Sequence, residues 1–231
     1  MFLLKLWQQF YSVTELLNVC DNCVNYIDNL QIWYKMDIIR KGILKLMRII
    51  TGTARGTNLY TLEGLETRPT LDRVKESLFN IINDKIYDSY VLDLFSGSGA
   101  IGLEFASRGA KKVYLCDNSK KAIEVIQKNI EKTHLSGKVE LKNCDFKEML
   151  SKLTGIKFDI IYLDPPYKTE YIKESLEKIL KLNLMKEDGV IIAETDEPER
   201  IENNIKEVQI EIASKRKYGR AYLFFLKKNE T

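Results

Sequence analysis

The residues with the clearest chemical purpose are Asp164-Pro165-Pro166-Tyr167, which follow the apolar run 158–163. Neither proline can donate to a sheet ladder, so the pair ends a strand and stiffens an extended exit whose carbonyls stay available as acceptors. An exocyclic amine on adenine, cytosine or guanine carries two N–H groups and a lone pair delocalised into the ring. A carboxylate oxygen and one proline-segment carbonyl can take both N–H bonds and draw the nitrogen toward a tetrahedral shape. The lone pair then points at an electrophilic methyl group. Tyr167 offers a ring face for the base, a contact worth about 1–3 kcal/mol per stacked base. Taken alone, the tetrad is equally a rigid loop with an N-capping Asp. Its position after other strand-end sites decides between the two.

The second site is Asp93-Leu94-Phe95-Ser96-Gly97-Ser98-Gly99-Ala100-Ile101-Gly102. Gly97, Gly99 and Gly102 spell G-x-G-x-x-G between a predicted strand and a helix, and Asp117 stands at the end of the next strand. Glycines let the backbone approach any nucleoside-bearing ligand, and such an acid can bind any ribose diol, so dehydrogenases and methyltransferases share both features. Asp93 separates them in part: its charge would oppose a pyrophosphate but favour the cationic amino group of S-adenosylmethionine. The third site, Asn143-Cys144-Asp145-Phe146, places an acceptor for an adenine amine at Asp145 and a ring beside it at Phe146. Asp145 also suits the cap of the following helix, and the two roles are compatible. The candidate cofactor contacts are therefore Asp93, Phe95, Gly97, Ser98, Gly99, Asp117, Asn118, Asp145 and Phe146.

The elements that must position these residues alternate regularly. Strands are predicted at 90–94, 112–116, 139–142, 158–163 and 190–194, with helices at 101–107, 120–132, 146–153 and 169–182 between them. That order argues for a parallel sheet of βαβ units. Runs 208–217 and 221–226 are separated only by Tyr218-Gly219-Arg220, too short for a crossover, so they pair antiparallel. Ahead of this alternation, 48–52 and 57–60 read as two short strands joined at Ala54-Arg55-Gly56. A helix follows with Thr70 as N-cap and Val74, Leu78, Phe79, Ile81 and Ile82 as its apolar stripe.

The chain has 231 residues, 45% apolar and 30% charged, which suits one α/β domain with small additions and excludes a disordered chain. A net charge of +3 does not announce a nucleic-acid binder. Its distribution is more informative. Lys215-Arg216-Lys217 with Arg220 form one cluster and Arg48, Arg55, Arg68, Arg73 and Lys75 another, and such clusters can track phosphates or simply form a solvated surface. Cys20 and Cys23 make a lone C-x-x-C, Cys116 and Cys144 sit near strand ends, and His134 is the sole histidine. No zinc site has its ligand pairs there, so no metal is expected and all four cysteines read as free thiols in a reducing compartment. Residues 1–46 are rich in Leu and aromatics, hold both tryptophans and carry weak helical periodicity. They read either as an amphipathic extension or as a translated upstream stretch with Met47 as the natural start. No run approaches a membrane span and no signal cleavage site follows the N-terminus, so a cytoplasmic chain is expected, and a monomer is the expected assembly. The expected organisation is an extension (1–46), a hairpin-and-helix segment (47–88) and a catalytic domain (89–231).

From Met47 onward the chain resembles the bacterial 16S rRNA guanine-N2 methyltransferases that modify a loop in the small-subunit head. The resemblance rests on Arg48-Ile49-Ile50 with Gly52 and Arg55-Gly56, on Arg68-Pro69-Thr70 with Asp72-Arg73-Val74-Lys75-Glu76, on the segment 92–99, and on the Asp164 tetrad. It implies a Rossmann-like class I fold with a seven-stranded, mostly parallel sheet whose last strand is antiparallel, and S-adenosylmethionine as cofactor. It implies Asp117 on the cofactor ribose and the tetrad Asp164, Pro165, Pro166 and Tyr167 at the target amine. Arg48, Arg55, Arg68, Thr70, Arg73 and Arg220 become candidate RNA contacts. The implied substrate is 16S rRNA within the assembling 30S subunit, with guanine at position 966 as target. Asp117 stands where many relatives carry Glu, and residues 1–46 fall outside the family pattern. The competing readings are an amino-methyltransferase acting on another RNA or on DNA (adenine N6 or cytosine N4), a nicotinamide-dependent dehydrogenase, and a binding protein that has lost catalysis.

Overall fold

A computed structural model describes residues 47–62, 69–166 and 170–229, without the side chains of 69–73 and 207. The chain divides between Lys45 and Leu46, and every described residue belongs to the second unit. The 1–46 extension with Cys20 and Cys23, and the predicted site residues Arg68 and Tyr167, lie outside the described residues, as do the side chains of Thr70 and Arg73.

Seven strands form one sheet: β1 (Tyr90–Asp93), β2 (Lys112–Asp117), β3 (Val139–Asn143), β4 (Phe158–Leu163), β5 (Met185–Thr195), β6 (Ile210–Tyr218) and β7 (Ala221–Lys228). Their order is β3-β2-β1-β4-β5-β7-β6. The pairs from β3 through to β5 are parallel, and β7 runs antiparallel between β5 and β6. The order reverses between β1 and β4, which opens a crevice at their carboxyl ends. Asp93 closes β1 and Asp164 follows β4, so the two acids flank that crevice.

Apolar side chains alternate between two cores because both sheet faces are covered. Val91, Val113, Leu115, Ile160, Tyr162 and Ile192 face one side. That side also holds buried side chains of α1 (Pro69–Ile81), α2 (Ala100–Ser107) and α3 (Lys120–Thr133). Leu92, Leu94, Tyr114, Ile161, Leu163 and Ile191 face the other, with α4 (Phe146–Lys152), α5 (Tyr171–Lys181) and α6 (Pro198–Asn204). Ser119 caps α3 by accepting the Ala122 N–H, and the helix closes at the exposed His134 in the left-handed region (φ 57°).

Several local expectations are corrected. Pro69 is the first residue of α1, so Thr70 lies inside the first turn instead of capping it. The two strands expected at 48–52 and 57–60 reduce to a single antiparallel bridge, Arg48 to Asn58. The cause is a buried acid on α2. Glu104 takes the Ile50 and Thr51 N–H groups at 2.8 and 2.9 Å, so they are lost to a ladder. Strand β5 begins five residues early, at Met185, with a register irregularity against Phe158 and Ile160, and α6 was not foreseen.

Candidate active site

The glycine segment turns tightly between β1 and α2. Gly97 (φ 55°) and Gly99 (φ 77°) adopt left-handed conformations that a side chain would resist. The Ser96 hydroxyl donates to the Asp93 carbonyl at 2.8 Å and accepts the Cys116 N–H at 3.0 Å, which ties the loop to β2. The Asp93 carboxylate lies beneath the loop, 1% exposed, and accepts the Gly102 N–H at 3.1 Å. Burial, opposed by that N–H and reinforced by Asp117, pushes its pKa up to about 7. Asp93 is therefore a buried support of the turn.

The neighbouring acids converge on the same edge. Asp117 accepts the Gly97 N–H at 2.9 Å through Oδ2 and the Ser119 N–H at 2.8 Å through Oδ1. A carboxylate has about four acceptor positions, so capacity for a ribose diol remains. Asn118 is exposed next to it. Asp145 is exposed and caps α4 by accepting the Lys147 N–H at 2.8 Å through Oδ1, so the capping role is realised and Oδ2 is uncommitted to the cap. Phe95 and Phe146 stand 5.4 Å apart, and Tyr171 at the start of α5 completes a trio with Phe146 at 4.9 Å and Phe95 at 6.2 Å. Sequence reasoning missed Tyr171, which reads there as one more apolar residue of a helix.

A segment ahead of the sheet braces this edge. Buried Asn129 on α3 donates to the Ser98 and Tyr60 carbonyls, both at 2.9 Å, and accepts the Tyr60 N–H at 2.7 Å. The Ser98 hydroxyl also lies 3.2 Å from the Met47 sulfur. Residues 47–60 are thereby tied to the glycine turn.

At the end of β4, Asp164 is half-buried, Pro165 buried and Pro166 exposed. Burial, and next the charges of Glu194, Asp93 and Asp196, hold the Asp164 carboxyl well above the usual carboxylate range. Leu163 pairs with Ala193, so Asp164 and Glu194 are the next residues of two adjacent parallel strands. Glu194 is 8% exposed, and the buried Tyr162 hydroxyl donates to its Oε2 at 2.5 Å. Burial raises the Glu194 pKa while that hydroxyl opposes the rise.

The basic residues are less concentrated. Arg48 and Arg55 are exposed on the N-terminal segment, and Arg220 is exposed at the β6–β7 turn. A Ser77–Tyr218 hydroxyl contact joins α1 to β6 just before that turn. The structure thus brings the cofactor candidates together at one sheet edge, whereas the arginines are distributed over separate elements. Cys116 and Cys144 are free and buried, with sulfurs 3.9 Å apart, and burial pushes the Cys116 thiol up.

A family model described as "Conserved hypothetical protein 95" matches residues 47–227. The chain belongs to this family. It is 38% identical over 154 residues to the putative rRNA methyltransferase YlbH of Bacillus subtilis, which spans 65% of this chain and 83% of that protein. It is 35% identical to the ribosomal RNA small subunit methyltransferase D of Haemophilus influenzae, over 65% of this chain and 79% of that one. Among solved structures, the putative methyltransferase yhhF from Escherichia coli superposes with a TM-score of 0.68 at 25% identity, covering 81% of this chain and all of that chain. The fold is the Rossmann-like class I methyltransferase fold, and the chain is an S-adenosylmethionine-dependent methyltransferase.

The residues present fit that cofactor. A side chain at Gly97 would project into open space, which leaves the loop surface accessible to a ligand, and the aromatic trio offers an apolar wall beside Asp145. The Asp117 and Asp145 carboxylates, at and just past the ends of β2 and β3, suit a ribose diol and an adenine amine, with Asp93 buried beneath the turn. Among the described residues, no cluster of three His, Cys, Asp or Glu side chains could hold a metal ion. Among the same residues, no helix is long and apolar enough to cross a membrane.

Proposed function

We propose that this enzyme methylates the exocyclic N2 of a guanine in 16S rRNA. The observation that carries the proposal is the position of Asp164. It follows β4 beside the crevice whose other wall is β1 and the glycine turn, half-buried and stiffened by two prolines. The Bacillus and Haemophilus relatives, named as rRNA methyltransferases, support an rRNA substrate.

In this proposal Phe95, Gly97, Ser98 and Gly99 would bed the cofactor over the buried Asp93, while Asp117 and Asn118 would hold its ribose and Asp145 and Phe146 its adenine. The cofactor supplies an electrophilic methyl on a sulfonium. Asp164 and a proline-segment carbonyl accept the two N–H bonds of the target amine and fix its lone pair in line with that methyl. Tyr167 stacks on the base. Charge-assisted hydrogen bonds contribute about 1.5–3 kcal/mol each, and orientation can supply about 7–11 kcal/mol of the barrier. When bound, the cofactor would supply the methyl group and its sulfur would take the C–S electron pair as leaving group, and the target nitrogen would give up one proton. Asp164, ionised when it accepts the amine N–H, would be placed to receive that proton, and burial with its acidic neighbours raises its proton affinity.

Arg48, Arg55, Arg68, Thr70, Arg73 and Arg220 complete the proposal as contacts to the RNA backbone. Incubating the protein with 30S subunits, naked 16S rRNA and duplex DNA, each with labelled S-adenosylmethionine, tests it. Label in N2-methylguanosine of 16S rRNA is the expected result. Label on adenine N6 or cytosine N4, or on DNA alone, would replace guanine N2 with the wider amino-methyltransferase reading.

A further inference from the structure

Glu194 has no part in the scheme above, yet it is one of the buried acids among the described residues. A carboxyl group 8% exposed at the end of a central strand loses most of its hydration. The hydrogen bond that answers it comes from Tyr162, a neutral hydroxyl that is itself 3% exposed. A neutral donor offsets only part of the cost of burying charge. Perturbed, incompletely compensated carboxyls at the mouth of a cleft are a mark of binding function.

Its place in the sheet says which function. Tyr162 and Asp164 are two residues apart along one strand and its exit, as Ile192 and Glu194 are along β5, and the strands run in register. Asp93 pairs with Tyr162 on the other side. Continued one residue past β4, the strand alternation puts Asp164 beside Glu194 on the face that carries Tyr162 and Ile192, at about the 4.8 Å strand spacing. The Glu194 charge indeed acts on the Asp164 carboxyl. The Tyr162 hydroxyl fixes Oε2 of Glu194, and Oε1 keeps its acceptor capacity.

When both are ionised, the state that bound N–H donors and a neighbouring cation favour, two carboxylates side by side present acceptors only. Guanine shows two adjacent donors on its Watson–Crick edge, the N2 amine and the ring N1–H. Adenine and cytosine show an amine next to a ring nitrogen that carries a lone pair. We infer that Glu194 selects guanine by accepting the N1–H beside the N2 amine that Asp164 holds. The inference rests on the reading of Asp164 as an amine clamp. Against adenine or cytosine, the Glu194 oxygen would face a lone pair, and sites built around a buried hydrogen bond reject ligands that cannot make it. The N–H donors of guanine, together with a sulfonium nearby, supply the compensation that Tyr162 alone does not.

The test uses reconstituted 30S subunits whose 16S rRNA carries either guanine or 2-aminopurine at the mapped target. The 2-aminopurine base keeps the N2 amine but has a lone pair at N1. The wild-type enzyme should prefer guanine in kcat/KM by roughly 10- to 100-fold, the value of one charged hydrogen bond. In Glu194→Gln the amide can turn its NH2 to the N1 lone pair, so the preference should collapse or reverse while S-adenosylhomocysteine binding is retained. Tyr162→Phe, which only frees the Glu194 side chain, should narrow the preference without reversing it. Equal loss on both substrates in Glu194→Gln would make the residue structural and overturn the inference, as would a wild-type enzyme indifferent to the two bases. In both of those cases N2 methylation stands. Transfer to neither base by the wild-type enzyme would remove the amine-clamp reading and the inference with it.

Discussion

Asp93 illustrates how much a single residue of this site gives up in stability for its position. Its folded pKa of about 7 lies above the ordinary value of 3.8, chiefly through burial. The folded form therefore holds a proton that the unfolded chain has released between those two values. The stabilising contribution is complete below about pH 4 and is lost as pH climbs through about 7, a change on the order of 4 kcal/mol. Asp93→Asn keeps an oxygen for the Gly102 N–H but cannot ionise. Urea unfolding of the ligand-free protein should show a decline in stability between about pH 5 and pH 8 that is clearly shallower in the variant. Parallel declines would mean that the strain lies elsewhere. The sequence exposed Asp93, Asp117, Asp145 and Asp164 because each ends a strand run and opens a glycine, cap or proline signal. Glu194 carries no such signal. It reads as the last residue of an apolar strand, and only the in-register pairing of Leu163 with Ala193 reveals its neighbour.

Among the elements, the most consequential junction joins α2 to the N-terminal segment. Glu104 is fully buried and receives the Ile50 and Thr51 N–H groups, the Lys75 ammonium at 3.2 Å from α1, and the Arg108 guanidinium at 2.8 Å. Arg108 also lies over the Phe79 ring at 4.6 Å, and Phe79 meets Phe105 edge-on at 4.7 Å. Gly52 (φ 91°) passes so close to α2 that a Cβ would fall 1.9 Å from the Ser107 carbonyl oxygen. Glu104→Gln removes the charge that two buried cations share and turns an N–H toward other donors. We expect a loss of about 3–5 kcal/mol in unfolding free energy with an unchanged denaturant slope, together with faster amide exchange at residues 47–60. A loss below about 1 kcal/mol would show that the junction is held by apolar packing alone. This junction was invisible beforehand because Ile50, Thr51 and Lys75 lie dozens of residues from Glu104, and Lys75, Glu104 and Arg108 each read locally as ordinary helix charges. The strand pattern at 48–60 failed for the same reason, since a side chain from α2 took the backbone donors. Helix α6 escaped because seven residues with only Ile201 as a buried aliphatic carry too little periodicity.

At the scale of the whole molecule, the order of parallel strands was legible from apolar runs separated by amphipathic helices, and the terminal hairpin from the short Tyr218-Gly219-Arg220 link. How the basic residues meet a substrate was not, because the net charge of +3 is spread over many elements. Lys215 is paired with Glu202 at 2.6 Å, whereas Arg216, Lys217 and Arg220 are exposed along the β6–β7 hairpin. If that hairpin tracks phosphates, Lys217→Glu should raise KM for 16S rRNA and lower the slope of log affinity against log salt by about 1, with kcat unchanged. An unaltered slope would move the RNA surface to the N-terminal segment.

The central claim is that one carboxylate, placed by β4 across from the glycine turn, holds the amine for transfer. Asp164→Ala, assayed in parallel for methyl incorporation into 16S rRNA and for S-adenosylhomocysteine affinity, tests it most directly. The account predicts that transfer falls by about 1,000-fold or more, since orientation is lost, while cofactor affinity stays within a few fold. Transfer and cofactor binding declining together, or transfer surviving, would contradict it.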